Sequence, residues 1–502
     1  MAGMEALGFG IGSAHAAPPN LSGSAKGKKV VILGAGLAGM TAAHELGKAG
    51  YDCRVIEARS FAGGRCQTSR AGFSLTELGG QTQTNDFAEG QYINHGPWRI
   101  PYHHLSTLHY TKAFAIPLEV FVNDNDAAYM YYENGTGPLA GKRIRKGRMT
   151  ADMRGHTAEI LAKITRKGGL DDQMTPADRD AFIGYLISEG YLTWKDLDYV
   201  GTEGAGFEVL PGAGIDPGPG QLYTPFPFAD VLHSKLWNQL SSVARFDMQR
   251  TMFQPAGGMD RIAKAFESRV GPRITYSAVV QQVRQSPEGV TVNYLDSAGH
   301  SGVANADYCI CTIPLSVLKS IDMQVSPRFK QAMNGVSYAP VGKIGLQMKR
   351  RFWEEDHQIY GGHILTDIRG IGAISLPSTG WQGQRGVLLG YYHFGADAAR
   401  ISAKSPADRA AVALAAGQKI FPDYQDNYET SFSVAWHRVE HNLGGWAEWN
   451  ADGRRDDYPI LCEPDGRIYL SGEHLSYIGG WQAGAIESAW QQIAKLHRRV
   501  QA

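Results

Sequence analysis

The sequence predicts a mixed α/β fold: a Rossmann-like dinucleotide domain assembled from discontinuous segments, an antiparallel-sheet substrate domain and a helical insert. Three observations predict it. A strand, glycine turn, helix, strand and acid follow one another over residues 29–65. Similar strand and helix patterns return after residue 251 and again at the C-terminal end. Between them, residues 340–440 alternate apolar and polar in several runs, the period of a sheet with one buried face.

Each part of the first run has a physical task. Lys29 to Leu33 reads as a short buried strand, followed by Gly34, Gly36 and Gly39 in G-x-G-x-x-G. Gly34 permits the tight turn, Gly36 lets backbone approach a pyrophosphate, and Gly39 lets helix and strand pack closely. Leu37, Met40, Ala43 and Leu46 mark a helix ending at Gly50, and Cys53 to Ile56 give a second strand. The helix N-terminus offers free N–H groups and partial positive charge to phosphates. Glu57 comes next, at the place where a carboxylate accepts from ribose hydroxyls, which disfavours a 2′-phosphate and hence NADP.

Composition bounds the rest. A chain of 502 residues exceeds one simple core, and 43% apolar with 20% charged residues is globular. Lys plus Arg and Asp plus Glu both number 49, so no basic footprint points to nucleic acid or an anionic membrane, and a small-molecule partner is expected. No run of eighteen apolar residues is present. Ala6 to Ala17 is small and apolar, with Ala14-His15-Ala16 resembling a cleavage site, but no Lys or Arg precedes Lys26. An exported protein carrying a signal remnant and a cytoplasmic one with a flexible tail both stay open. Five cysteines are too few for a disulfide scaffold. His103, His104 and His109 lack helical ligand spacing, so no metal is expected.

The residues beyond Glu57 narrow the choice of dinucleotide. Glu57-Ala58-Arg59, Gly63-Gly64-Arg65 and Glu77-Leu78-Gly79-Gly80 resemble the fingerprint of the flavin amine oxidase superfamily. The resemblance implies FAD, with Arg59 and Arg65 along its diphosphate and Gly79-Gly80 as the second glycine pair. Two guanidiniums beside a pyrophosphate make charge-assisted bonds. Later motifs extend the likeness over nearly the whole chain. PAGGMDRIAKAF (255–266) matches a family turn and helix, Val280 an adenine contact, and Gly472-Glu473 a pair meeting the ribityl chain. Gly480-Trp481-Gln482-Ala483-Gly484-Ala485 matches the segment at the flavin ring, opening a helix aimed at it. His474 to Ile478 lacks the cysteine of covalent members, so noncovalent FAD is implied.

Within that superfamily, Gly96-Pro97-Trp98-Arg99-Ile100-Pro101 resembles the segment of L-amino-acid oxidases whose arginine forks the substrate carboxylate. Trp98 and Arg99 are also counted among residues against the cofactor. The likeness further implies Tyr391, in GVLLGY, as a second carboxylate anchor; Gly480 and Trp481 beside the amino group; and Lys343 holding a water near the flavin. The expected activity is oxidation of an L-amino acid by oxygen to the 2-oxo acid, ammonia and hydrogen peroxide. Alternatives are a monoamine or polyamine oxidase, an amino-acid 2-monooxygenase, and a non-catalytic FAD-stabilised module. Pocket walls are expected from the 205–230 loop, the helical insert and Trp436, with Glu203 and Glu208 keeping a basic substrate open. Oligomeric state is not legible.

The expected organisation is a tail over 1–27, FAD-binding pieces over 28–97, 241–315 and 441–502, a helical substrate region over 98–240, and a substrate sheet over 316–440.

Overall fold

The computed structural model describes residues 17–502. The proposed signal-like stretch therefore lies almost wholly outside the described residues. The nucleotide half is a five-stranded parallel sheet in the order Ile274–Thr275, Asp52–Ile56, Lys29–Leu33, Tyr308–Cys311, Ile468–Leu470. The strands read as apolar runs because a parallel sheet is covered on both faces. Val30, Ile32, Val55 and Ile310 face one core, while Val31, Leu33, Cys309 and Cys311 face another. The two cysteines are thus buried strand residues.

Helix Leu37–Lys48 covers one face beside the C-terminal helix Gln482–Gln501. Met40, Ala43 and Leu46 meet Ile486, Ala489 and Ile493 in a single cluster, a small-against-large stripe that lets the helices pack side by side. In a separate four-stranded sheet of Ser301–Ala306, Val290–Leu295, Val279–Gln285 and Asp322–Met323, the first three strands form the crossover before Tyr308 and the last returns after it.

The substrate half is a seven-stranded sheet in the order Tyr428–Ala435, Val341–Met348, Gly386–Phe394, Ala373–Ser375, His363–Thr366, Tyr129–Tyr131, Arg143–Arg145. It is antiparallel except where His363–Thr366 meets Tyr129–Tyr131. Two differences from the expected organisation stand out. The stretch read as helical contributes the last two strands, each only three residues long and so carrying no long alternation. Within the stretch read as sheet, Gly395–Ser402 and Pro406–Ile420 are helices that pack on its outer face, the second capped by Ser405 accepting from the Asp408 N–H. The long helices Lys146–Arg166 and Pro176–Gly190 form an antiparallel arm.

Candidate active site

The glycine turn has the geometry its sequence requires. Gly34 adopts φ +98°, and a Cβ at Gly39 would stand 2.0 Å from the Gly34 carbonyl oxygen, so helix and strand touch through bare backbone. Glu57 closes the turn from the next strand. Its Oε2 accepts from the Ala35 N–H at 2.6 Å and its Oε1 from the Arg59 N–H at 2.9 Å.

These residues open onto a cavity of ≈ 930 Å³. At one end lie Gly34, Gly36, Glu57, Ala58, Arg59 and Val280. Gly64, Arg65, Gly472 and Glu473 continue the wall, and Gly480, Trp481 and Gln482 carry it to the far end with Trp98, Arg99 and Lys343. Arg65 is paired with Glu473 at 3.1 Å, and Glu473 Oε1 also accepts from the Gly480 N–H at 3.0 Å, which fixes the loop before the C-terminal helix. The helix has Trp481 at its N-cap with no side-chain cap, so its first N–H groups are left for a ligand.

The donor set fits FAD. Arg59 has a buried Nε that makes no hydrogen bond and pairs with Glu57 Oε1 only at 3.7 Å, beside a backbone loop shaped for a diphosphate, and Glu57 stands where a ribose would lie. When bound, FAD would be held by the Gly34–Gly39 turn, Glu57, Arg59, Arg65 and Glu473.

Arg99 is the most informative residue at the far end. Its guanidinium lies over Trp98 at 4.8 Å and within 5.9 Å of both Phe121 and Trp481. Its Nη2 donates to the Met248 sulfur at 3.1 Å, and its Nε has no partner. Among the described residues no carboxylate forms an ion pair with it. Burial pushes its pKa down to about 10, and Tyr392 and the carboxylate of Asp247, which makes no direct contact, offset this only in part. Strand pairing sets it there: the Ile100 and Phe253 backbones bond to each other, holding the 96–101 segment against Thr251–Pro255.

Lys343 is 2% exposed and donates to the Gly96 carbonyl at 2.5 Å. Burial first, and the neighbouring Arg99 second, hold its ammonium well below the usual lysine range. Its nitrogen stands 4.4 Å from the Tyr392 ring.

Tyr391 does not reach the cavity. It is 1% exposed and belongs to the core on the opposite face, packed with Ile344 and Leu388, while Tyr392 lines the cavity. The pairing explains the displacement. Ile344 pairs with Tyr391 but Gly345 with Leu389, leaving Gly390 as a bulge that resets the two-residue alternation.

Other expected positions also move. Gly79 and Gly80 are exposed in a turn outside the lining, and their neighbour Glu77 is spent on a buried pair with Arg409 at 2.6 Å. Ala483 is fully buried behind the wall, and Ala485 lines the cavity in its place. The 205–230 loop contributes no lining, because Tyr223 and Phe226 are captured by Arg148 at 4.1 and 3.7 Å. Glu203 and Glu208 go with it. Trp436 does line the cavity, its indole N–H donating to the His95 carbonyl.

Sequence reasoning missed His363 and Met248, both on the wall, while His104, set aside there as a metal ligand, lines the cavity as well. His363 tilts on Trp98 at 5.1 Å, and His104 meets Trp481 edge-on at 4.9 Å. Burial pushes both imidazoles down to about 3, so they are neutral. No group of three metal-capable side chains occurs among the described residues, and none of the described helices is long and apolar enough to cross a membrane.

An L-amino-acid oxidase of Protobothrops flavoviridis is 26% identical over 492 residues, 94% of this chain and 89% of that protein. One from Demansia vestigiata is 24% identical over 498 residues, 94% and 87% of the respective chains. The solved cyclohexylamine oxidase from Brevibacterium oxydans IH-35A superposes with a TM-score of 0.63 at 14% identity, covering 95% of this chain and all 100% of its own, a likeness of fold. The model of the flavin containing amine oxidoreductases matches residues 37–492, and the chain belongs to that family, with FAD as its cofactor.

Proposed function

We propose that this amine oxidoreductase is an L-amino-acid oxidase, converting its substrate to the 2-oxo acid and ammonia with release of hydrogen peroxide. The single observation that carries this reading is Arg99. A guanidinium in a cavity, faced by aromatic rings and a thioether instead of an acid, is matched by an incoming α-carboxylate and would repel a simple ammonium ion. Relatives bearing that activity by name support it.

When bound, FAD supplies the two-electron acceptor, whose electrons pass on to oxygen. The remaining work falls to side chains. Arg99 grips the carboxylate, and the Tyr392 hydroxyl on the same wall lends a second contact. Trp98 and Trp481 exclude water on either side of the guanidinium, which strengthens its field. Lys343, whose ammonium burial and the neighbouring Arg99 disfavour, lines the same cavity beside Trp98 and Tyr392, where it can hold a water near the flavin. The neutral His104 and His363 likewise leave the substrate amine unopposed by charge.

The direct test is peroxide release over the standard L-amino acids, with D-isomers and simple amines as controls. Turnover of L-amino acids alone supports the reading; turnover of amines alone overturns it in favour of a monoamine or polyamine oxidase.

A further inference from the structure

Met248 is an odd neighbour for Arg99. A charged guanidinium ordinarily takes oxygen acceptors, and a thioether sulfur is a weak one. The sulfur nonetheless sits 3.1 Å from Nη2, and both residues line the cavity. Met248 is the one methionine among the described lining residues, and it is part-exposed, whereas the neighbouring Met252 and Met259 are 0% exposed.

The segment that carries it is lightly tethered. Phe246, 71% exposed, rests on the His103 ring at 4.1 Å, and Gln249 donates to the same ring at 3.4 Å. An Arg245–Met248 bridge closes the turn. Nothing there forbids a shift of the fraction of an ångström that one added atom needs. The other cavity sulfur is protected: Cys66 donates to the Met259 carbonyl at 3.4 Å and accepts from Gln482 at 3.0 Å, and burial pushes its thiol up to about 12. Thiols react as thiolates, but a thioether needs no ionisation.

We propose that Met248 is an oxidative modification site through which hydrogen peroxide, released in this same cavity, switches Arg99 off. The oxidant and the consequence rest on the oxidase reading above. The step balances: the peroxide O–O bond breaks, one oxygen forms an S=O bond as sulfur loses two electrons, and the other leaves as water. The sulfoxide oxygen is a strong acceptor on the guanidinium it already touches. It competes for the position that a carboxylate oxygen needs, so each oxidised molecule loses substrate affinity and the modified fraction grows with cumulative exposure to peroxide.

The test uses the FAD-loaded protein, graded hydrogen peroxide quenched with catalase, and two readouts. Peptide mass spectrometry follows oxygen gain at Met248, and flavin absorption follows the affinity for benzoate as a plain carboxylate probe. Met248 gains oxygen ahead of Met252 and Met259, and benzoate binding weakens by about tenfold, the difference between a charge-assisted bond and a thioether contact. M248L keeps its own untreated benzoate affinity through the same exposure. M248Q, with a permanent carbonyl acceptor, binds benzoate weakly before any peroxide is added.

Oxidation of Met252 or Met259 before Met248 overturns the inference, as does an unmoved benzoate affinity once Met248 is fully converted. An untreated Arg99→Ala variant separates the two readings. If it binds benzoate as the parent does, the carboxylate reading fails and takes this inference with it. If it loses benzoate while Met248 oxidation changes nothing, the sulfoxide inference fails alone.

Discussion

Replacing Arg99 with methionine separates a functional guanidinium from a structural one. In the folded protein the side chain has π faces, one sulfur contact and no acid, so its removal strands no partner charge. A carboxylate docked on its fork would form two charge-assisted bonds of roughly 1.5–3 kcal/mol each. Their loss amounts to about 3–6 kcal/mol, or two to four orders of magnitude in kcat/KM for L-amino acids. Simple amines, having no carboxylate, should be turned over no worse, and better where the cation had repelled them. Thermal stability should hold or rise, because a buried charge with no carboxylate in direct contact becomes an apolar side chain of similar length. Arg409→Met is the control with the opposite signature. It leaves Glu77, whose side chain is 3% exposed and bonded to Arg409 at 2.6 Å, with only the Ala435 N–H and the more distant Arg438 at 3.8 Å, and should cost about 3–5 kcal/mol of stability. The assay is steady-state peroxide release beside thermal melting. An Arg99→Met protein that keeps kcat/KM for amino acids within threefold, or loses amine and amino-acid turnover equally, refutes the argument.

The remaining expectations concern the wall, the cradle and pH. Tyr392→Phe should lower kcat/KM for amino acids by roughly tenfold, the worth of one hydroxyl contact, whereas Tyr391→Phe should leave it unchanged; equal effects would place the sheet register wrongly. Gly39→Ala should give protein without yellow colour, read by the flavin-to-protein absorbance ratio, because its Cβ would stand 2.0 Å from the Gly34 oxygen. His95, His104, His363 and His474 are each pushed down to about 3 by burial from an ordinary 6.5. Their folded values lie below their unfolded ones, so the unfolded chain binds more protons and stability falls as pH drops from 6.5 towards 3. His474→Phe should flatten that fall in melting temperature, since both nitrogens of His474 are buried without partners; an unaltered slope would count against it.

How much of this was legible depended on whether the decisive contacts are local. The 29–65 run is contiguous, each residue's task is set by its neighbours in sequence, and Gly34, Gly39 and Glu57 stand where the pattern puts them. Arg99 reached the cavity for a similar reason, its segment being pinned by the Ile100–Phe253 bridge. Tyr391 failed because a single unpaired residue, Gly390, inverts the faces of everything after it, and no alternation count reveals a bulge. The 205–230 loop failed because its aromatic residues answer to Arg148, some seventy positions upstream, and not to the cavity. Met248 carried no signal at all: one methionine of 13 in an irregular turn becomes interesting only when its sulfur is seen against a bare guanidinium.

The parallel sheet under the cofactor draws its strands from residues 29–33, 52–56, 274–275, 308–311 and 468–470. Its middle strand is thus made early, while one of its two neighbours is nearly three hundred residues away. During synthesis the ribosome must release most of the polypeptide before that neighbour can arrive, and until then an apolar strand edge is open to any other chain. Dissecting the gene into a stand-alone nucleotide module is therefore ruled out by connectivity. Yield in a heterologous host should respond to slower growth temperature and chaperone supply more than to surface engineering.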